Sequence, residues 1–174
     1  MSKETTRIMV LGVVASRGPI SGYGIEKTLE EWAVQRWTTI APASIYQQLR
    51  SLTTAGLIEP ATERSGRATD YACTDAGRRR LRELLLALLH EPSPQPLSLI
   101  PLLHFTPSLN RDELVDGLQG RITRLDEALG YESQVLDRAA GSGPLHVAEI
   151  FRLTWEGLRA DRAWCLDYLR RLGA

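Results

Sequence analysis

With 174 residues and a formal net charge of zero, the chain is long enough for two small domains but lacks the uniform positive charge of a small nucleic-acid-binding protein. Its 43% hydrophobic and 24% charged residues are typical of a globular protein and argue against disorder. The charges are unevenly placed: residues 1–80 contain 11 Lys or Arg against 8 Asp or Glu, whereas residues 81–174 contain 10 against 13. This excess of cations favours phosphate as a partner of the first half.

The cysteines and the first residues indicate a cytoplasmic protein. Cys73 and Cys165 lie far apart and match no metal-binding or redox spacing, so we expect the reduced thiols of a cytosolic protein. No segment approaches the roughly 20 apolar residues that a membrane span needs, and residues 1–7 lack the apolar core of a signal peptide. We therefore expect no membrane partner.

The histidines give no sign of catalysis. His90, His104 and His146 stand alone, without acidic or thiol neighbours at metal-ligand spacing. The sequence also has no Ser/His/Asp arrangement, phosphate-binding glycine loop or zinc pattern. We expect neither an enzyme nor a bound metal or cofactor.

The first two predicted elements are helices separated by a breaker. A helix over residues 5–16 carries a dense apolar run and ends at Gly18-Pro19. A second helix opens at Ser21-Gly22 and is amphipathic, with its charged residues on the face opposite the apolar positions. The apolar positions are Tyr23, Ile25, Leu29 and Trp32.

A third helix is predicted from Pro42, whose fixed φ suits the first helical position, to Ala55, where Gly56 stops it. Its buried stripe consists of Ile45, Leu49 and Leu52. The opposite face is small, polar or cationic and leaves room for another surface to approach closely. That face holds Ala43, Ser44, Gln47, Arg50 and Ser51.

A β-hairpin and a fourth helix follow. Residues 57–63 and 69–73 have extended character and are joined by Arg64-Ser65-Gly66-Arg67, which suits a turn. Thr74 or Asp75 can cap the next helix. The prolines of residues 91–96 cannot continue it and form a linker, so we predict domains over residues 1–90 and 97–174.

Helix, helix, helix, hairpin is the order of a winged helix-turn-helix, whose third helix enters the major groove of double-stranded DNA. Gln47 and Arg50 can then donate to base edges, and Ser44 and Tyr46 can reach phosphates. Two alternatives stay open: Tyr46 packed in the domain, and Arg50 paired with phosphate or within the chain. The hairpin tip places Arg64 and Arg67 near the flanking backbone.

The C-terminal half predicts two long helices joined by a turn at residues 141–144. Each carries a heptad-like apolar stripe, and so little chain is left to cover these stripes that a second copy of the chain is the best partner. Two recognition helices could then read half-sites roughly 34–36 Å apart. The stripes are Leu118, Ile122, Leu125, Leu129, Glu132 and Leu136, and Ala148, Phe151, Trp155, Leu158, Arg162, Cys165, Leu169 and Leu172.

Four motifs resemble the PadR family of transcriptional regulators, and the resemblance covers nearly the whole chain. They are Gly18-Pro19 with Ser21-Gly22-Tyr23-Gly24-Ile25, then Ala43-Ser44-Ile45-Tyr46 through Gly56-Leu57-Ile58, then Arg67, Tyr71 and Thr74-Asp75-Ala76-Gly77-Arg78, and the C-terminal helix pair. The pair is similar to that of the longer members of the family. Ala41 and Asp70 depart from the pattern, where the family often has a capping residue and a basic wing residue.

The resemblance implies a mainly α protein with a small β-hairpin, in which a winged helix-turn-helix precedes a dimerisation domain. It implies a homodimeric regulator, which we expect to repress from an inverted-repeat operator and to be released by a small aromatic or hydrophobic effector. Tyr23 and Ala43 join the DNA-binding set, and Phe151, Trp155 and Trp164 are candidates for the effector site. Plain core is the alternative for the tryptophans. The competing functions are a winged-helix module that docks proteins and a protein that sequesters a small molecule.

Overall fold

The computed structural model describes residues 3–62, 69–142 and 144–174. The chain divides into two compact units, the first ending at Leu85 and the second beginning at Leu86. Each unit is therefore described by itself. The domain limits predicted from the sequence, residues 1–90 and 97–174, stay a prediction.

The first unit contains helices and a small sheet in the order predicted for a winged helix-turn-helix. Its core is helix α1, which has a continuous buried run from Ile8 to Leu11. The 3₁₀ turn Val34–Arg36 separates the second and third helices. The elements are α1 (Lys3–Arg17), β1 (Ile20–Ser21), α2 (Gly22–Glu31), α3 (Pro42–Thr54), β2 (Ile58–Thr62), β3 (Asp70–Cys73) and α4 (Asp75–His90), the last of which contains the unit boundary.

The helix ends follow from local sequence signals. Ser21 caps α2 because its Oγ accepts a hydrogen bond from the backbone N–H of Gly24 at 3.1 Å. Pro42 opens α3, and Ala41 before it gives no side-chain cap. Gly56 has a φ of +67°, and its N–H bonds to the carbonyl of Thr53, while the N–H of Leu57 bonds to that of Leu52. This Schellman motif ends α3 at the glycine that the sequence marked.

The sheet has three antiparallel strands in the order β1-β3-β2. Tyr71 of β3 lies opposite Ile20 on one side and Pro60 on the other, with an irregularity in the register between Pro60 and Thr62. Pro60 stands on an edge strand, where a missing N–H is tolerated. The hairpin prediction is confirmed for its strands, and β1 is an addition to it.

The second unit is helical in its described part. The elements between α4 and the long helices were not predicted from the sequence. They are the 3₁₀ turns Pro96–Leu99 and Thr106–Ser108 with the short helix α5 (Ile100–His104) between them. The two long helices, α6 (Arg111–Ser142) and α7 (Leu145–Leu172), were predicted. Two contacts show that they run antiparallel. Arg111 at the start of α6 bonds to the carbonyl of Leu172 at the end of α7, and Arg121, later in α6, bonds to Asp161, earlier in α7.

A buried ion pair holds the long helices together. Arg121 and Asp161 have fully buried side chains, joined by Nε to Oδ1 at 3.1 Å and by Nη2 to Oδ2 at 2.5 Å. Nη1 of Arg121 also donates to the carbonyls of Leu88 and Glu91, at 2.8 and 2.7 Å. One guanidinium thus connects α6, α7 and the chain around the end of α4.

The two cysteines, Cys73 in the first unit and Cys165 in the second, are free thiols. Burial raises the pKa of Cys165 to about 12, so that it stays protonated and unreactive. No helix in the described residues is both long and apolar enough to pass through a bilayer. The predicted fold class, mainly α with a small sheet and long C-terminal helices, is confirmed.

Candidate nucleic-acid interface

Helix α3 presents the surface that the sequence analysis singled out. Ala43, Gln47 and Arg50 are exposed, the side chain of Tyr46 is 46% exposed, and Ser44 is half-buried. The opposite side of the helix packs into the unit through Ile45, Gln48, Leu49 and Leu52. We call Ala43, Ser44, Tyr46, Gln47 and Arg50 the α3 face.

Gln47 and Arg50 are free to bind a partner. Within the described part of the chain, neither side chain makes a hydrogen bond or an ion pair, so the intramolecular alternative for Arg50 finds no support there. Gln48 differs from its neighbour, since it is buried to 2% exposure. An amide and a guanidinium on one open helical face are the groups that donate to base edges in a major groove.

A close contact between α2 and α3 fixes the α3 face. A Cβ added at Gly22 would lie 2.6 Å from Cε1 of Tyr46 and 3.3 Å from Cδ1 of Leu49, so a side chain at position 22 would displace the Tyr46 ring from its present place. Tyr46 therefore packs against α2 and is also exposed to solvent. The two alternatives left open by the sequence, a packed tyrosine and one that can reach phosphate, are compatible with each other. Gly22 is a positioning residue that the sequence analysis treated only as part of a helix opening.

Tyr23 was wrongly placed on the apolar stripe of α2. Its side chain is 60% exposed, and Nζ of Lys27 lies 5.6 Å from the centroid of its ring. Glu30 raises the pKa of Lys27, first by a hydrogen bond and then by charge, so this cation stays protonated. The exposure of Tyr23 agrees with its place in the DNA-binding set, which stays a prediction.

The tip of the wing, with Arg64 and Arg67, lies outside the described residues, and both stay predictions. The base of the wing is held by Thr74, whose Oγ1 donates to the carbonyl of Gly56 at 2.8 Å and accepts from the N–H of Gly77 at 3.0 Å. Thr74 thus caps α4 and anchors it to the end of α3.

The arginine run at the start of α4 has structural partners. Nη1 of Arg78 donates to the carbonyl of Ala15 at 3.1 Å and so closes the end of α1. Arg80 pairs with Glu83 one turn along, at 2.8 Å. Arg78 and Arg80 thus have partners within the chain.

The effector candidates are spread along α7. Phe151, Trp155 and Trp164 are all half-buried. The guanidinium carbon of Arg159 lies 5.2 Å from the ring centroid of Trp155, and Trp164 packs on Tyr168 with centroids 5.1 Å apart. The three stay predictions. Among the described residues, no group of three or more His, Cys, Asp or Glu could hold a metal ion.

Comparison with known proteins identifies the class of the first unit. The family model of the transcriptional regulator PadR-like family matches residues 10–83. This match contains α2, α3, the wing strands and the start of α4. Residues 10–83 therefore match the PadR-like family of transcriptional regulators, and the resemblance seen in the sequence is confirmed for that segment.

Solved structures are similar over most of the chain at low identity. Bacillus subtilis PadR in complex with operator DNA is 20% identical, with a TM-score of 0.45 over 95% of this chain and 98% of that one. The same protein in complex with p-coumaric acid is 21% identical, with a TM-score of 0.43 over 98% and 99%. The protein smu.1604c of Streptococcus mutans is 20% identical, with a TM-score of 0.38 over 94% and 98%. No curated protein matches the chain.

Proposed function

We propose that the chain is a cytoplasmic transcriptional repressor that binds an inverted-repeat operator as a homodimer. One observation carries the proposal: the α3 face of a PadR-like segment is open and presents Gln47 and Arg50 without partners among the described residues. Tyr46 and the half-buried Ser44 stand beside them, where hydroxyl groups suit phosphate oxygens. In this proposal the chain has no catalytic role.

The second unit supports the homodimer. The last fully buried side chain of α6 in the described residues is Leu125, almost five turns before the helix ends. On α7, Leu145, Ile150 and Leu153 are 77%, 61% and 76% exposed. A group of large apolar side chains left in water favours a partner surface, and a second copy of the same helices supplies one with two-fold symmetry.

Effector control belongs to the same proposal. A small aromatic or hydrophobic molecule that binds near Phe151, Trp155 or Trp164 releases the operator only if it prefers the arrangement of the dimer that does not fit DNA. The half-buried aromatic side chains on α7 support a site of this kind.

Substitution of the α3 face tests the DNA-binding proposal. Gln47→Ala and Arg50→Ala are each expected to weaken binding by about 1–3 kcal/mol per contact, because a bidentate donor to a base edge is lost. Fluorescence anisotropy with a duplex selected from a random pool by the wild-type chain measures this loss. The change occurs twice in a dimer, so the double variant should bind the selected duplex no better than random DNA.

Arg152→Ala is the matched control, since it removes one exposed cation from α7, where Arg152 pairs with Glu149. It should leave DNA affinity unchanged. Light scattering should show the same molar mass for all variants. Equal DNA affinity of wild type and double variant would favour the protein-docking function, and tryptophan quenching by small molecules without any salt-dependent DNA binding would favour sequestration.

A further inference from the structure

The second unit contains a cleft of about 580 Å³ where α5, the turn Thr106–Ser108, the start of α6 and the end of α7 come together. Binding sites for small molecules typically have volumes of about 300–1,000 Å³. Phe151, Trp155 and Trp164 are not among its lining residues. The cleft is therefore a different place from the effector site considered above.

Most of the lining is apolar and reaches from the surface into the core. Leu103 is 41% exposed, whereas Leu114 is only 4% exposed. Leu109 and Leu172 complete the leucine side of the cleft. A hydrocarbon chain or ring placed on these leucines would be removed from water, which is the main source of affinity in such sites.

Arg111 gives the cleft its charge. Among the described residues that line it, Arg111 is the only charged side chain, and Asn110, Thr106 and Tyr168 add neutral polar groups. Nη2 of Arg111 donates to the carbonyls of Leu172 and Gly173, at 2.7 and 3.3 Å, so the guanidinium is held at the end of α7. Its bonds to the described residues leave Nε and Nη1 available for a carboxylate.

The lining selects the class of ligand. Leucine side chains favour an apolar body, and one fixed guanidinium favours a single negative charge with planar oxygen acceptors. A neutral molecule would leave Arg111 without its best partner, and a cation would be repelled. We infer that this cleft binds a hydrophobic monocarboxylate, with the carboxylate on Arg111 and the apolar part on Leu103, Leu109, Leu114 and Leu172.

Three probes with the same eight-carbon chain test the inference on the full-length protein without DNA, so that its outcome is independent of the proposed function. Octanoate, octan-1-ol and octyltrimethylammonium are titrated by calorimetry and followed by tryptophan fluorescence, to which Trp164, packed on the lining residue Tyr168, contributes. Octanoate should bind about tenfold more tightly than octanol, the effect of one hydrogen bond to a charged group. The cation should bind most weakly.

Two variants distinguish the contribution of the Arg111 charge to binding from the contribution of the apolar cavity. Arg111→Gln should abolish the preference for octanoate over octanol, whereas Leu103→Trp, which fills the cleft from its exposed side, should weaken both. Arg170→Gln is the control, because it removes a cation that pairs with Asp167 in the last turn of α7 and does not line the cleft. It should retain the preference.

Three results would overturn the inference. The first is equal affinity of the wild type for octanoate and octanol, and the second is a preference for octanoate that survives in Arg111→Gln. The third is a lower molar mass of Leu103→Trp in light scattering, which would show that a second copy of the chain covers the cleft. Should Arg111→Gln fail to fold, the three wild-type titrations and Leu103→Trp still decide the matter.

Discussion

Replacing Arg121 with methionine is expected to destabilise the second unit by about 3–5 kcal/mol, the cost of leaving one partner of a buried ion pair uncompensated. The substitution leaves the carboxylate of Asp161 at 1% exposure without its cation. It also removes the donor that satisfies the carbonyls of Leu88 and Glu91. Urea unfolding followed by circular dichroism measures the loss, because α6 and α7 together supply most of the helix in this unit.

A second ion pair between the same helices provides the control. Arg162 of α7 binds Asp126 of α6, and both side chains are substantially exposed. Arg162→Met should therefore cost much less stability than Arg121→Met. The double variant Arg121→Met with Asp161→Leu should recover part of the loss, since no unpaired charge remains. An Arg121→Met protein as stable as Arg162→Met would refute this account of the core.

Gly77→Ala is expected to lower the stability of the first unit by about 3 kcal/mol, at the upper end for overpacking, because the obstacle is backbone. The added Cβ would lie 3.0 Å from the carbonyl carbon of Leu57 and closer still to its oxygen. That oxygen also accepts the hydrogen bond from the backbone N–H of Thr74 at 3.1 Å, so moving it disturbs the cap of α4. Thermal unfolding of the two proteins measures the difference.

The same substitution at Gly130 should act in the opposite direction. Gly130 lies on an exposed part of α6, and an added Cβ would meet nothing within 4 Å. Since alanine favours a helix by about 1 kcal/mol over glycine, Gly130→Ala should stabilise the protein. If both variants shift the unfolding temperature upwards, the close approach at Gly77 does not exist.

Local signals in the sequence were sufficient for most of the first unit. Gly18, Ser21, Pro42 and Gly56 each mark a helix end that the structure shows, because caps and breakers act within one turn. Strand β1 was not predicted, because two residues are too few to show the alternation of apolar and polar side chains that marks a strand. Its formation depends on pairing with β3, about 50 residues further along the chain.

The features missed in the second unit depend on contacts between distant residues. The pair Arg121–Asp161 joins positions 40 residues apart. The heptad stripes placed charged residues at Glu132 and Arg162 and not at these two positions. The capping box of α6 was visible in the sequence, since Asn110 and Glu113 have the required spacing and bond to each other's backbone N–H groups. It marks the start of the helix at Arg111, before the first position of the predicted stripe, Leu118.

The candidate interface was predictable as a face, whereas its details needed the structure. Helical periodicity separates Gln47 and Arg50 from the buried stripe, but it did not reveal that Gln48 is buried or that Tyr46 packs on Gly22. Periodicity also placed Tyr23 among the buried residues, because a tyrosine at an apolar spacing is compatible with either environment. The approach of Gly22 on α2 to Tyr46 on α3 is visible only in the structure.

Protection of guanine N7 from dimethyl sulfate tests most directly whether the α3 face lies in the major groove, where that atom is exposed. On a duplex selected by the wild-type chain, we predict two protected patches with centres about 10 base pairs apart, one for each copy of α3. Arg50→Ala should restore methylation within both patches and nowhere else. A single patch, or tight binding with every guanine N7 fully reactive, would contradict the account.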